Sequence, residues 1–277
     1  MEKLTVLDLF SGIGGFSLGL ERAGMTTVAF CEIDPFCQQV LRKHWPDVPI
    51  HADVRQLNAA EVGPVDVICG GFPCQDISLA GRRAGISGER SGLYREMVRA
   101  IRMVRPKHAI MENVAALLGL GMGRILGDVA ENGYDAEWDC ISASDVGAPH
   151  GRDRVWIALT DAHQLKRPHG SGSPDGWWLW RSSEIAEARN AGRVWPLQPP
   201  RLLGNIRRWV DNAARGGAWW TRDWKAEFEA LRGMDDGAAD GLDKSINAAG
   251  VKCCGNAVVP QIPEIIGRAI MNSRDSG

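Results

Sequence analysis

Short apolar runs alternate with helical stretches through the first 160 positions of the chain. Leu4–Leu9, Thr27–Cys31, Val65–Cys69, His108–Met111 and Val155–Leu159 are continuous enough in apolar character to predict short strands buried on both faces. Between them, Phe16–Ala23, Pro35–His44, Leu93–Val104 and Met122–Glu131 predict helices. Buried strands separated by helices give an α/β fold on a doubly wound, mostly parallel sheet. The texture changes near Asp161, and from there to about Gly250 strand signals vanish. From Cys254 to Met271 a Gly-Asn turn leads into an apolar helical pattern, as if the core resumed. The division expected is a core of residues 1–160 plus 251–277, interrupted by a small irregular domain over 161–250. No internal repeat is visible.

A hydrophobic content of 44% with 24% charged residues is that of an ordinary globular protein, which removes disordered and fibrous classes. The formal net charge of -2 removes a polybasic binder, so any nucleic-acid contact needs a local patch. One exists. Between Lys166 and Arg222 ten Lys/Arg face four acids, a local excess of +6, and eight of the eleven tryptophans lie between 161 and 250. These Trp and Arg side chains form either a small core with a basic face or direct contacts to bases. Seven cysteines at irregular spacing, without a Cys-x-x-Cys pair, argue against a disulfide framework and against structural zinc. With no signal peptide and no apolar run of membrane-spanning length, the expectation is a cytoplasmic protein without metal.

The candidate chemistry sits at strand ends. The first strand runs into Asp8-Leu-Phe-Ser-Gly-Ile-Gly-Gly15, a turn that is either purely structural or a place where backbone meets a ligand closely. A dinucleotide fingerprint would want Gly where Ser17 stands, which weighs against a nicotinamide dehydrogenase. The second strand ends in Glu32-Ile-Asp34, placed to accept from ribose hydroxyls. Asp53, in His51-Ala-Asp-Val54, could accept from an adenine amino group with Ile33 and Val54 flanking the ring. Singly each acid reads as a loop residue or helix cap; the three in order point to a nucleoside.

Gly70-Gly-Phe-Pro-Cys-Gln75 follows the next strand, and Pro73 stiffens the turn before Cys74. Burial as a small hydrophobe explains Cys31, Cys37, Cys69 and Cys140 but not Cys74, which polar and Gly-rich sequence follows. Glu112 ends a neighbouring strand. Arg152 and Arg154, alternate residues of an extended segment, suit a phosphate or a carboxylate held ionised.

These elements, in this order, resemble the bacterial and phage DNA (cytosine-5)-methyltransferases. The resemblance runs from Asp8 to about Ala158 and again from Gly255 to Ala269, and it includes Gly255-Asn-Ala-Val-Val-Pro-Gln261 as a closing motif. It implies a methyltransferase-type fold, S-adenosylmethionine as cofactor and methylation of cytosine carbon 5 in double-stranded DNA after base flipping. Cys74 is then the nucleophile, with Glu112, Arg152 and Arg154 as its catalytic partners. Phe10, Ser11, Gly12, Gly14, Glu32, Ile33, Asp53, Val54, Pro73 and Asn256 line the cofactor site. Gln75, Ser78, Arg82, Arg83 and Arg90 contact DNA from a basic, Gly-rich loop, and the domain over 161–250 recognises the target. A monomer is implied, whose activity needs no companion restriction endonuclease. The family usually has Gln where His150 stands. An RNA methyltransferase acting on tRNA and an inactive DNA-binding relative are the alternatives; intact Cys74, Glu112 and Arg152 weigh against the second.

Overall fold

The computed structural model describes residues 2–73, 92–146, 151–163 and 257–274. Seven strands form one sheet: β1 (Thr5–Leu9), β2 (Thr26–Cys31), β3 (Ile50–His51), β4 (Val67–Gly71), β5 (His108–Val114), β6 (Tyr134–Ser142) and β7 (Asp153–Asp161). Their spatial order is β3-β2-β1-β4-β5-β7-β6. Every pairing from β3 to β5 is parallel, whereas β7 runs antiparallel to both neighbours. The mostly parallel sheet expected from the sequence is therefore present, with β7 as the reversed strand.

Helices α1 (Gly15–Arg22), α2 (Pro35–His44), α3 (Ala59–Val62), α4 (Gly92–Val104), α5 (Leu117–Leu120), α6 (Met122–Glu131) and α7 (Gln261–Arg274) complete the frame. Burial sorts them onto the sheet. Tyr94, Met97, Ile101, Ile125, Leu126 and Val129 of α4 and α6 pack with Leu7, Leu9, Ile68 and Met111. Phe16 and Leu20 of α1 meet Ile262, Ile265 and Ile266 of α7 on the other side, together with Val6, Val67, Ile110 and Trp156. The alternating contributions of β1 to these two clusters show a strand buried on both faces.

The α1–α7 contact is close. A Cβ on Gly19 would lie 2.2 Å from the Pro260 carbonyl oxygen, so only glycine lets the two backbones meet there. Arg268 reaches back to the Arg22 carbonyl across 246 positions of sequence.

Besides the short helices α3 and α5, two strands among the described residues went unread in the sequence. One is β3, two residues long. The other is β6, nine residues long, whose Asp135, Glu137 and Asp139 are buried on one face while Tyr134, Ala136 and Trp138 are buried on the other.

Candidate active site

Strand order reverses between β1 and β4, and in an open α/β sheet the crevice beyond the strand ends at such a reversal is where ligands bind. The Gly-rich turn leaves β1 at this point. Phe10 takes a left-handed conformation at φ 54°, which costs a non-glycine residue about 1–2 kcal/mol. Ser11 is buried: its hydroxyl donates to the Asp8 carbonyl at 2.6 Å, and its N–H donates to the Cys31 carbonyl at 3.2 Å, tying the turn to β2. Gly12 lies at φ 55°, and among the described residues no atom stands within 4 Å of where a Cβ would be, so its backbone faces open space there. Gly14, at φ 90°, lies against the Trp45 ring, which a Cβ would approach to 2.6 Å.

The acids divide by role. Glu32, buried, accepts the Gly12 N–H at 2.7 Å through Oε2 and the Asp34 N–H at 2.7 Å through Oε1. It fixes the turn from beneath, and each oxygen keeps a lone pair for a ligand. Asp34 instead caps α2, accepting from Phe36 N at 2.9 Å and Cys37 N at 3.4 Å. Asp53 stands at the neighbouring strand end, because Glu32 N–H donates to the His51 carbonyl at 2.9 Å. Arg55 grips the Asp53 carboxylate in a fork, Nε at 2.9 Å to Oδ1 and Nη2 at 2.8 Å to Oδ2. That grip holds the carboxyl below its usual range. Ile33, beside them, is the large hydrophobic residue left exposed among the described residues, at 67%, while Val54 is buried.

Asp8, fully buried at the floor, accepts from the Ser17 hydroxyl at 2.7 Å and the Ser17 N–H at 3.2 Å, both through Oδ2. Oδ1 has no nitrogen or oxygen donor among the described residues, and the buried Cys69 thiol is hydrogen-bonded to this carboxyl. Burial pushes this carboxyl up to about 7, against the pull of the Ser17 hydrogen bonds.

Across the crevice, β4 ends at Gly71, which pairs in register with Glu112 of β5. The Glu112 carboxylate lies over Gly71 on one side and receives Arg154 Nε at 2.8 Å on the other. Burial raises its carboxyl above the ordinary glutamate value, while Arg154 and Arg152 pull it down. Arg152 in turn is lowered by its own burial and by Arg154. The structure thus gathers Glu112, Arg152 and Arg154 at Gly71, which precedes Cys74 by three residues in the sequence. Asn113, buried and part of the same strand end, donates from Nδ2 to the Phe72 carbonyl at 2.9 Å, anchoring the peptide that precedes Pro73. Asn113 was absent from the expected site residues; its place beside Glu112 was the available signal. Pro73 is exposed. Cys74, Gln75, Ser78, Arg82, Arg83, Arg90, His150, Asn256 and the segment 164–250 lie outside the described residues.

A sheet of this order, with acids at one pair of strand ends and a buried acid–arginine group at the next, defines an α/β protein of the methyltransferase fold. Residues 4–176, more than half of the chain, match the family model for C-5 cytosine-specific DNA methylase, and the chain belongs to that family. It is 39% identical over 160 residues to the Type II methyltransferase M2.BsuMI of Bacillus subtilis (strain 168), a match covering 55% of this chain and 41% of that protein. It is 36% identical over 195 residues to the Type II methyltransferase M.AquIA of Picosynechococcus, covering 61% and 78% respectively. A crystal structure of an E. coli prophage protein, described as a DNA modification methyltransferase, superposes with a TM-score of 0.50 at 31% identity. That match covers 58% of this chain and 47% of the prophage protein. The chain therefore spans only about two-fifths of the B. subtilis relative.

Proposed function

We propose that this chain transfers a methyl group from S-adenosylmethionine to carbon 5 of a cytosine flipped out of double-stranded DNA. The observation that carries the reading is the Glu112 carboxylate, wedged between the Arg154 guanidinium and Gly71, the last residue of the strand that leads to Cys74.

The cofactor's requirements fit the residues on the first half of the crevice. Open space over the Gly12 backbone, the exposed Ile33 and two carboxylates at adjoining strand ends suit a nucleoside. Glu32 would take the ribose hydroxyls. Asp53 would take the adenine amino group, and Ile33 and Val54 would flank its ring. Phe10, Ser11, Gly12, Gly14, Pro73 and Asn256 complete the assignment. Bound there, S-adenosylmethionine supplies an electrophilic methyl group on a sulfonium.

The chain's own part is to make carbon 5 nucleophilic. The Cys74 thiolate adds at carbon 6 of cytosine, forming a C–S bond and shifting the ring's electrons toward an enamine. Glu112 shares a proton with ring nitrogen 3, and its burial, which raises the carboxyl above the ordinary glutamate value, favours the protonated form. Arg154 orients Glu112, and Arg152 and Arg154 hold the base carbonyl. Carbon 5 would then take the methyl group, with S-adenosylhomocysteine as the leaving group; loss of the carbon 5 proton to water with departure of Cys74 as thiolate would restore the ring. Stacked bases expose neither face, so the target must leave the duplex. Gln75, Ser78, Arg82, Arg83 and Arg90 would hold the opened duplex, and the basic segment within 161–250 would choose the sequence.

Expressing the chain in cells that lack cytosine-5 methylation, followed by bisulfite sequencing, tests the reading. The expected result is 5-methylcytosine in one sequence context, and none with Cys74→Ser, although that variant still binds S-adenosylmethionine. An unmarked genome from a folded, cofactor-binding chain would defeat it, and transfer to tRNA instead of DNA would redirect it.

A further inference from the structure

Arg99 stands on α4, whose first residue, Gly92, follows the stretch that begins at Cys74. Its guanidinium leaves the helix and crosses to the turn beyond β3. Nη2 donates to the Val54 carbonyl at 2.6 Å, and Nη1 donates to the Leu57 carbonyl at 3.0 Å. Glu96, one helical turn earlier, receives Nε and orients the fork. The turn it grips is a single 3-10 turn, Val54–Gln56, which begins at Asp53. Three residues closed by i→i+3 bonds have little cooperativity of their own. The two carbonyls that Arg99 holds belong to the turn's first residue and to the residue just after its last.

We propose that Arg99 is a positioning residue for the adenine subsite. It clamps the turn so that the Asp53 carboxylate and the Val54 side chain meet the base, and it fastens that turn to the helix continuing from the Cys74 stretch. The inference rests on the reading that this turn meets the cofactor. Arginine suits the task because a rigid planar fork spans two fixed acceptors; a lysine ammonium is a compact donor on a flexible stem and does not hold two separated carbonyls in one fixed geometry.

The test uses the purified full chain with Arg99→Met, Arg99→Lys and Glu96→Gln. Binding of S-adenosylhomocysteine is measured by titration calorimetry without DNA, with thermal unfolding alongside and kcat and KM on a DNA duplex. Arg99→Met should weaken binding about tenfold and raise KM for S-adenosylmethionine by the same factor, leaving kcat at saturation within about twofold. Arg99→Lys should recover part of the loss, and Glu96→Gln should show a smaller loss in the same direction. Wild-type affinity in a folded Arg99→Met, with only its unfolding temperature lowered, overturns the proposal. If Arg99→Met does not fold, wild-type affinity in Arg99→Lys overturns it equally. A wild-type chain that fails to bind the cofactor product at all condemns the underlying reading of the site, an outcome visible before any variant is made.

Discussion

Replacing Gly71 by alanine puts a Cβ 2.8 Å from Glu112 Oε2, with no other atom nearer than 3.8 Å. A carbon–oxygen contact is comfortable at about 3.4 Å, so the new methyl must displace the carboxylate by about 0.6 Å. Glu112 Oε2 is the end of a side chain, and neither strand has to move; the expected stability cost is about 1 kcal/mol or less. The displaced oxygen belongs, however, to the group proposed to face the reacting base, and its partner Oε1 is held by Arg154 at 2.8 Å. A misplacement of about 1 Å at a reacting centre can cost about a hundredfold, so about 0.6 Å should lower kcat about tenfold. Gly70→Ala supplies the contrast. There a Cβ would lie 2.5 Å from the Leu9 carbonyl oxygen, part of the β1 backbone, which has no rotamer to yield. That variant should lose about 1–3 kcal/mol of stability as β1 and β4 are pushed apart. Methyl incorporation into a DNA duplex at saturating cofactor gives kcat, and chemical unfolding gives stability. A Gly71→Ala protein with wild-type kcat, or one destabilised as much as Gly70→Ala, refutes the placement of Glu112 at the chemistry.

Asp8→Asn should stabilise the protein above neutral pH. The carboxyl is raised to about 7 in the folded state, so the fold keeps a proton that the unfolded chain releases, and stability falls as pH rises from about 4 to about 7. The amide retains an acceptor for both Ser17 donors and removes the slope, a gain at pH 8 of as much as about 4 kcal/mol; urea unfolding at pH 5 and pH 8 that keeps the wild-type slope rules Asp8 out. Glu32→Ala removes the acceptor of both the Gly12 and Asp34 N–H groups, so it should lower the unfolding temperature and weaken S-adenosylmethionine binding by about 1–3 kcal/mol. Unchanged affinity by calorimetry would move the ribose contact elsewhere. Exchanging 161–250 for the matching segment of a relative with a different target should transfer that target, and an active hybrid that still marks the original site would place recognition in the core.

The strands that the sequence revealed are those buried on both faces, because burial of that kind leaves a continuous apolar run, as in the Ala109-Ile-Met111 stretch of β5. Strand β6 did not show itself because its buried carboxylates interrupt the apolar residues at every second position. The period of two was there, but acids on a buried face read as solvent-facing ones. The candidate site was legible where chemistry demands a residue type at a strand end, as at Glu32, Asp53 and Glu112. It was not legible where one side chain is assigned its task by a distant one. The Arg99 carbonyl contact to Val54 spans 45 positions and that of Asn113 to Phe72 spans 41, and no local pattern encodes either. Nor does the order Asp53-Val-Arg55 announce that the arginine turns back onto the acid.

The packing of α1 on α7 carries a consequence for how much the middle of the chain is free to change. Phe16 and Leu20 are synthesised early, and the Ile262, Ile265 and Ile266 side chains that cover them come only after everything between has been made. Joining the two is a loop closure, and its entropic cost grows with the logarithm of the enclosed length: doubling the enclosed chain adds only about 0.6 kcal/mol. The core is therefore nearly indifferent to the size of what is spliced into it. A longer or shorter middle segment would leave the glycine turn and the acid–arginine group where they are.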